Sequence, residues 1–262
     1  MPSNKMKEVN SVPKLFVVSD IHGFHDEMIY ALDKAGFYPN NESHWLIVCG
    51  DTLDRGRQPQ QVIDYLSSLP QCILIKGNHE CLMEELIERK LPLRHDWSNG
   101  TMQSVIDLAS NAMTTEAAFT IADEKVKPFF NKMVNYFETE HYVFVHSWIP
   151  INCDDSLPAY YRRNRQCSKK EDWRTAHQKE WNDAMWHNPL DMAMNGLGIE
   201  KTIVAGHWHC SAGWALQNKT SDEFGNDACF DPYYYEDKLI MIDRCTAHTG
   251  EVNVLVLEDE FI

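Results

Sequence analysis

Five short polar clusters along this chain combine histidines with carboxylates or an amide. They are Asp20 with His22, Asp51 with Asp54 and Arg55, Asn78 with His79, His146, and His207 with His209. Neutral imidazoles plus hard oxygen donors suit manganese, iron or zinc better than calcium or magnesium. A carboxylate has two oxygens, so one central aspartate can bridge two ions, and two divalent cations about 3.5–4 Å apart can clamp a phosphate and activate a hydroxide for in-line attack. Each piece has a plainer reading: Asp-x-His can be an ordinary turn, Asn78 can cap a helix, and Asp54-Arg55-Gly56 can be a surface ion pair before a turn. Jointly they make up a full two-metal ligand set.

Apolar runs of strand type precede each cluster. Residues 15–19 stop at Asp20, 45–49 at Gly50-Asp51, 72–76 at Gly77-Asn78, 142–145 at His146, and 201–205 at Gly206-His207. Helical spacing follows the first three, over 25–36, 58–69 and from Glu80 to about Lys90. Three successive strand–loop–helix units predict right-handed crossovers and a largely parallel sheet. Open α/β sheets place their sites just past strand C-termini, where all five clusters fall. The middle reads as helices over 101–112 and 115–137. Residues 150–175 are irregular, with a basic cluster (Arg162, Arg163, Arg165, Lys169, Lys170, Arg174), and a tryptophan-rich helix covers 181–186. Residues 211–238 read as a surface excursion, and 239–243 and 252–258 as two final strands joined by the turn around Thr249-Gly250. We expect residues 1–14 to be a disordered leader and 15–262 one α/β domain.

Acidic residues exceed basic ones by 39 to 24, for a net charge of −15, which argues against a non-specific nucleic-acid binder. An anionic substrate would need local cations to reverse that field. There is no apolar run long enough for a membrane span and no signal-peptide core, so a cytoplasmic location is expected. The eight cysteines are scattered without a CxxC pair, predicting reduced, mostly buried thiols in place of a disulfide framework.

Asp-x-His-Gly, Gly-Asp-x-x-Asp-Arg-Gly, Gly-Asn-His-Glu, a strand-borne histidine and Gly-His together resemble the signature of calcineurin-like metallophosphoesterases. The likeness is to the phosphoprotein phosphatase branch, which includes bacterial and phage serine/threonine phosphatases and symmetrical diadenosine tetraphosphate hydrolases. The resemblance implies central β-sheets packed as a sandwich and flanked by helices. It implies two divalent cations, manganese first with iron or zinc as alternatives. Asp20 and His22 would hold one, Asp51 would bridge both, and Asn78, His146 and His207 would complete the second. Arg55 would grip phosphate. His79 would be the general acid, oriented by Asp54.

The chain departs from that pattern in two places. Phosphoprotein phosphatases carry a single Gly-His, whereas Gly-His-x-His occurs in other relatives, where the second histidine is a ligand. Strand alternation would point His207 and His209 the same way, so His209 is a further candidate ligand. The family's second phosphate-binding arginine has no motif here; Arg174 is the candidate, ahead of Arg162, Arg163 and Arg165. The substrate expected is a phosphorylated protein or small phosphoester, cleaved by a serine/threonine phosphatase or phosphomonoesterase. Dinucleoside polyphosphate hydrolysis is the alternative, although such hydrolases usually carry Asp where Glu80 stands. A catalytically silent interaction module is a third reading, opposed by the intact ligand set.

Overall fold

The computed structural model describes residues 12–153, 167–220 and 222–262. Its first half alternates strand and helix: β1 (Lys14–Val18), α1 (His25–Lys34), β2 (His44–Cys49), α2 (Pro59–Ser68), β3 (Cys72–Ile75) and α3 (Asn78–Arg89). Three further helices follow, α4 (Arg94–Ser98), α5 (Thr101–Leu108) and α6 (Thr115–Phe130). The second half begins with β4 (Tyr136–Glu138), β5 (Tyr142–Val145) and the hairpin β6 (Ile151–Cys153)–β7 (Cys167–Lys169). It continues through α7 (Gln178–Ala184), α8 (Pro189–Met194), β8 (Thr202–His209) and α9 (Cys210–Asn218). Last come β9 (Tyr233–Tyr235), β10 (Leu239–Asp243), the short α10 (Thr246–Thr249) and β11 (Leu255–Glu258).

The strands form two main sheets, the sandwich that the family resemblance implied. One has the order β11-β1-β2-β3 and the other β4-β5-β8-β10-β9. Within each, the motif-bearing strands run parallel; antiparallel β11 closes one edge of the first sheet, and antiparallel β4 and β9 close both edges of the second. Period-two alternation sorts the side chains. Leu15, Val17, Ile47, Cys49 and Ile75 pack against Phe144, Val204, Ile240 and Ile242 of the second sheet. Phe16, Val18, Leu46 and Val48 face the other way, onto α1, α2, α3, α5 and α6. On the outer side of the second sheet, Val143, Val145, Ile203 and Met241 meet Trp173, Trp181 and Leu190. The result is a β-sandwich between two helical layers. Among the described residues no helix is long and apolar enough to cross a membrane.

Several expectations are corrected. The helix over 115–137 ends at Phe130, and Tyr136 begins a strand antiparallel to β5. Tertiary partners decide this: Phe137 enters the inter-sheet core and Tyr136 stacks on Trp181 at 5.2 Å. The surface excursion over 211–238 contains α9 and the edge strand β9. The two final strands, β10 and β11, lie in different sheets, and the turn expected between them includes the short helix α10. Lys14, placed in the leader, already pairs in β1, while residues 1–11 lie outside the described residues. Cys153 and Cys167 are disulfide-bonded, against the expectation of free thiols, because the β6–β7 hairpin sets them opposite each other with Cα atoms 4.4 Å apart.

The C-terminal end is fastened by the buried Asp259, whose carboxylate accepts from the His141 backbone N–H at 2.9 Å and from His141 Nδ1 at 2.6 Å. The hydrogen bond to Asp259 raises the His141 pKa. Burial would raise that of Asp259, but the bonds from His141 and its neighbours leave it below the usual value. The Asp259 contribution is present above its unfolded pKa and is lost as pH falls through the folded one. The His141 contribution is present below its unfolded pKa and is lost as pH rises through the folded one. The Tm deficit of Asp259→Asn relative to wild type is therefore expected to be largest at about pH 5–6 and to shrink by about pH 9. Thermal melts across that range check it, and a deficit that grows with pH would contradict the pairing.

Candidate metal centre

The C-termini of β1, β2, β3, β5 and β8 converge along one end of the sandwich, three from one sheet and two from the other. The turns that follow are unusual. Among the described residues ten non-glycines have positive φ, and six of them are Asp20, His22, Asp51, Asp54, Arg55 and His207. Left-handed backbone is costly for residues with a Cβ and persists where the surroundings over-determine it. Here those turns aim side chains off the strand ends into a shared space. Two glycines make the approach possible: a Cβ on Gly77 would overlap the Asp51 carboxylate, and one on Gly206 would overlap Asp20 and Ser19.

Asp51 lies between two groups of donors. Its Oδ2 is 3.8 Å from His22 Nε2 and 3.9 Å from His79 Nε2. Its Oδ1 is 3.4 Å from His146 Nε2, and Asp51, His146 and His207 offer ligand atoms within 4.8 Å of one another. Asp20 stands on the His22 side at 3.9 Å, with its other oxygen accepting from the His207 N–H at 2.9 Å. Asn78 Oδ1 is 2.8 Å and His207 Nδ1 3.2 Å from His146 Nε2. The Nδ1 atoms of His22 and His146 face the carbonyls of Leu53 (3.1 Å) and Cys49 (2.9 Å) and must donate to them, which turns bare Nε2 lone pairs inward. So many acceptors at such spacings repel one another unless cations share them. The donor set fits two divalent metals, with Asp51 common to both groups.

The electrostatics of the side chains agree. Burial and the neighbouring Asp51 charge push Asp20 up to about 8. Burial would raise Asp51 as well, but the surrounding imidazoles of His146, His79 and His22 hold it below the usual carboxylate range. Burial pulls His22 and His207 well below the usual histidine value, with Arg55 adding to the effect at His22 and His146 at His207. Neutral imidazoles and a charged carboxylate are the forms that ligate.

Beside the first group, Arg55 donates from Nη1 to the bare Nε2 of His22 at 2.8 Å, and its Nη2 lies 3.2 Å from His79 Nε2. His79 Nδ1 is 2.7 Å from Asp54 Oδ2, which also accepts from the Thr101 hydroxyl at 2.7 Å. Burial lowers the His79 pKa, but the Asp51 charge and the Asp54 hydrogen bond outweigh it, and the imidazolium is held up to about 9.

The family profile described as calcineurin-like phosphoesterase matches residues 13–211. The chain belongs to that family. Calcineurin-like phosphoesterases use a dinuclear metal site, and the two groups sharing Asp51 are this member's candidate ligand clusters. Over 66 residues the chain is 36% identical to a symmetrical bis(5′-nucleosyl)-tetraphosphatase of Citrobacter koseri; that stretch is 25% of this chain and 23% of the relative, so the match spans about a quarter of the relative's length. A protein serine/threonine phosphatase from Saccharomyces cerevisiae superposes with a TM-score of 0.53 at 13% identity, covering 96% of this chain and 81% of that one. A cold-active protein tyrosine phosphatase gives a TM-score of 0.51 at 16% identity, covering 95% and 74%. These two share the fold.

Two candidates suggested by the family pattern are not brought to the centre. Arg174 donates from Nε and Nη2 to Glu138 at 2.8 and 2.6 Å and stacks on Trp173 at 4.3 Å. The 3₁₀ turn that carries it packs on β4, away from the ligands, while Arg162, Arg163 and Arg165 lie outside the described residues. His209 joins neither ligand group: it lies 4.0 Å from Asp243, 3.9 Å from Glu223 and in edge contact with Phe224 at 5.5 Å. Strand alternation fails as a guide because the β8–β10 register shifts between Met241 and Asp243 and His207 itself is left-handed.

Three further residues, none of them among the predicted site residues, support the centre. Thr101 and Ser104, one turn apart on α5, hold Asp54 by its carboxylate and by its backbone N–H. Glu80 accepts from the backbone N–H groups of Asp51, Thr52 and Gly77 and from the Thr52 hydroxyl at 2.7–3.0 Å. From sequence, Asn78 of the Gly-Asn-His-Glu motif can cap a helix; the structure puts the cap at Gly77 and gives Glu80 its hold on the Asp51 turn.

Proposed function

We propose that this phosphoester hydrolase is a metal-dependent phosphomonoesterase of the protein serine/threonine phosphatase kind, with residues 15–262 acting as one catalytic domain. The observation that carries the reading is a single carboxylate, Asp51, common to two ligand groups and flanked by an arginine and a carboxylate-held histidine. Two divalent cations, manganese in first place, would be held by Asp20, His22 and Asp51 and by Asp51, Asn78, His146 and His207, and would supply charge neutralisation and a nucleophile at neutral pH. Arg55, the exposed guanidinium at the mouth, binds phosphate oxygens in a planar fork. His79 carries a proton on Nε2 for the leaving oxygen, and Asp54 keeps the ring oriented by holding Nδ1. Thr101 fixes Asp54 in turn.

Dinucleoside polyphosphate hydrolysis is the second reading, favoured by the local likeness to the symmetrical tetraphosphatases. After chelation and manganese reloading, a phosphoserine peptide, p-nitrophenyl phosphate and diadenosine tetraphosphate are assayed side by side. Manganese-dependent phosphate release from the first two is the expected result. ADP release far faster than phosphate release would move the assignment to the second reading, and no turnover of any of the three would overturn both.

A further inference from the structure

Trp186 stands against His207 with ring centroids 6.0 Å apart and planes at 86°, yet it is 37% exposed. Its two neighbours in sequence, Met185 and His187, are buried. The Met185 sulfur lies 3.9 Å from Cys81 Sγ on α3, the helix that opens with Asn78 and His79. The His187 carbonyl accepts from the Ser147 hydroxyl, the residue after His146. Immediately beyond, the Asn188 side chain caps α8 by accepting from Leu190 and Asp191 at 3.0 and 3.2 Å. The turn is thus fastened to two ligand-bearing elements, and the indole is held outward, one ring from the centre. A fixed aromatic face gives contact area at low cost in conformational entropy. Charge does less here, because Arg55 is the one arginine among the described residues that bonds to the side chains of the centre.

We infer that Trp186 is a specificity-determining residue that stacks on an aromatic ring carried by the phosphate ester, a nucleobase or an aryl group. The inference rests on the centre being a phosphoester site, and it ranks ring-bearing esters above esters without a ring. It is compatible with both readings above, since an aryl monoester falls under the first and a nucleoside ester under the second.

Non-hydrolysable phosphonates test this by calorimetry on metal-free and manganese-loaded protein. Methylphosphonate has no ring, benzylphosphonate has an aryl ring, and the 5′-methylene phosphonate analogue of adenosine monophosphate has a nucleobase. Wild type is expected to bind at least one ring-bearing ligand about tenfold tighter than methylphosphonate. Trp186→Ala should erase most of that ratio and Trp186→Phe should keep part of it. The two ring-bearing arms tell nucleobase from aryl group. No ring preference in wild type, or a ratio unchanged in Trp186→Ala, would overturn the inference. Turnover of the phosphoserine peptide, p-nitrophenyl phosphate and diadenosine tetraphosphate is measured alongside; no turnover of any of the three would sink the phosphoesterase reading, while the titrations judge Trp186 separately.

Discussion

Asp51→Asn is expected to abolish binding of both metals and to lower kcat by on the order of 10³-fold or more, since the cations supply several kcal/mol of transition-state stabilisation. One oxygen of Asp51 faces the His22 side and the other faces His146. An amide carries no charge and has a single acceptor oxygen, so neither group keeps its shared ligand. The variant should nevertheless fold. Asp20 is pushed up to about 8 by burial and by the Asp51 charge, and a neutral residue at position 51 relieves that repulsion. The amide oxygen can still accept from the His79 N–H, which Asp51 Oδ1 does at 3.0 Å. We therefore expect a metal-free Tm close to wild type, together with loss of the rise in Tm that manganese gives the wild type by mass action. Metal content by elemental analysis, melts with and without manganese, and turnover decide it. A retained manganese-dependent rise with turnover near wild type would rule out Asp51 as the shared ligand.

The second large effect concerns proton delivery. His79→Asn is expected to lower kcat by about 10²–10³-fold while metal content stays at the wild-type level. The loss should depend on the leaving group. A serine alkoxide needs a proton as it departs and p-nitrophenolate hardly does, so the phosphoserine peptide should suffer more than p-nitrophenyl phosphate. Asp54→Asn should fall between wild type and His79→Asn, because Thr101 and Ser104 still hold the residue, although the imidazole loses its carboxylate. Equal losses on both substrates would mean that His79 acts on something other than the leaving oxygen. Loss of metal in His79→Asn would instead make it a ligand, an alternative raised by its 3.9 Å approach to Asp51.

Much of this site was legible in the sequence because its parts are local. An apolar run followed by Asp-x-His or Gly-Asp dictates a strand end with a polar turn, and β1, β2, β3 and β5 terminate where those runs stop or one residue before, whereas β8 continues through His207 to His209. The helices after the first three strands were legible for the same reason, as period and caps act over a few residues. Position 209 was misjudged because alternation assumes a regular ladder, and the register shift beside His207 removes it. Position 174 was misjudged because a basic residue does not declare its partner: Glu138, 36 residues away, holds it. The pairing of Cys153 with Cys167 depended on a hairpin that composition did not predict.

By itself the sequence determined the ligand types, their order along the chain and their delivery at strand ends, all consequences of short-range chemistry. The two-sheet sandwich was implied by the family resemblance; only the tertiary structure decided how the five strands divide between the sheets, three and two, so that the centre spans the open end of the sandwich. The physical reason is that a strand's own residues fix which faces it buries, while which other strand covers those faces depends on distant segments. Phe144, Val204 and Ile242 covering Leu15, Val17 and Ile47 put His146 and His207 beside Asp51. The same long-range packing placed Thr101 on Asp54 and Trp186 on His207.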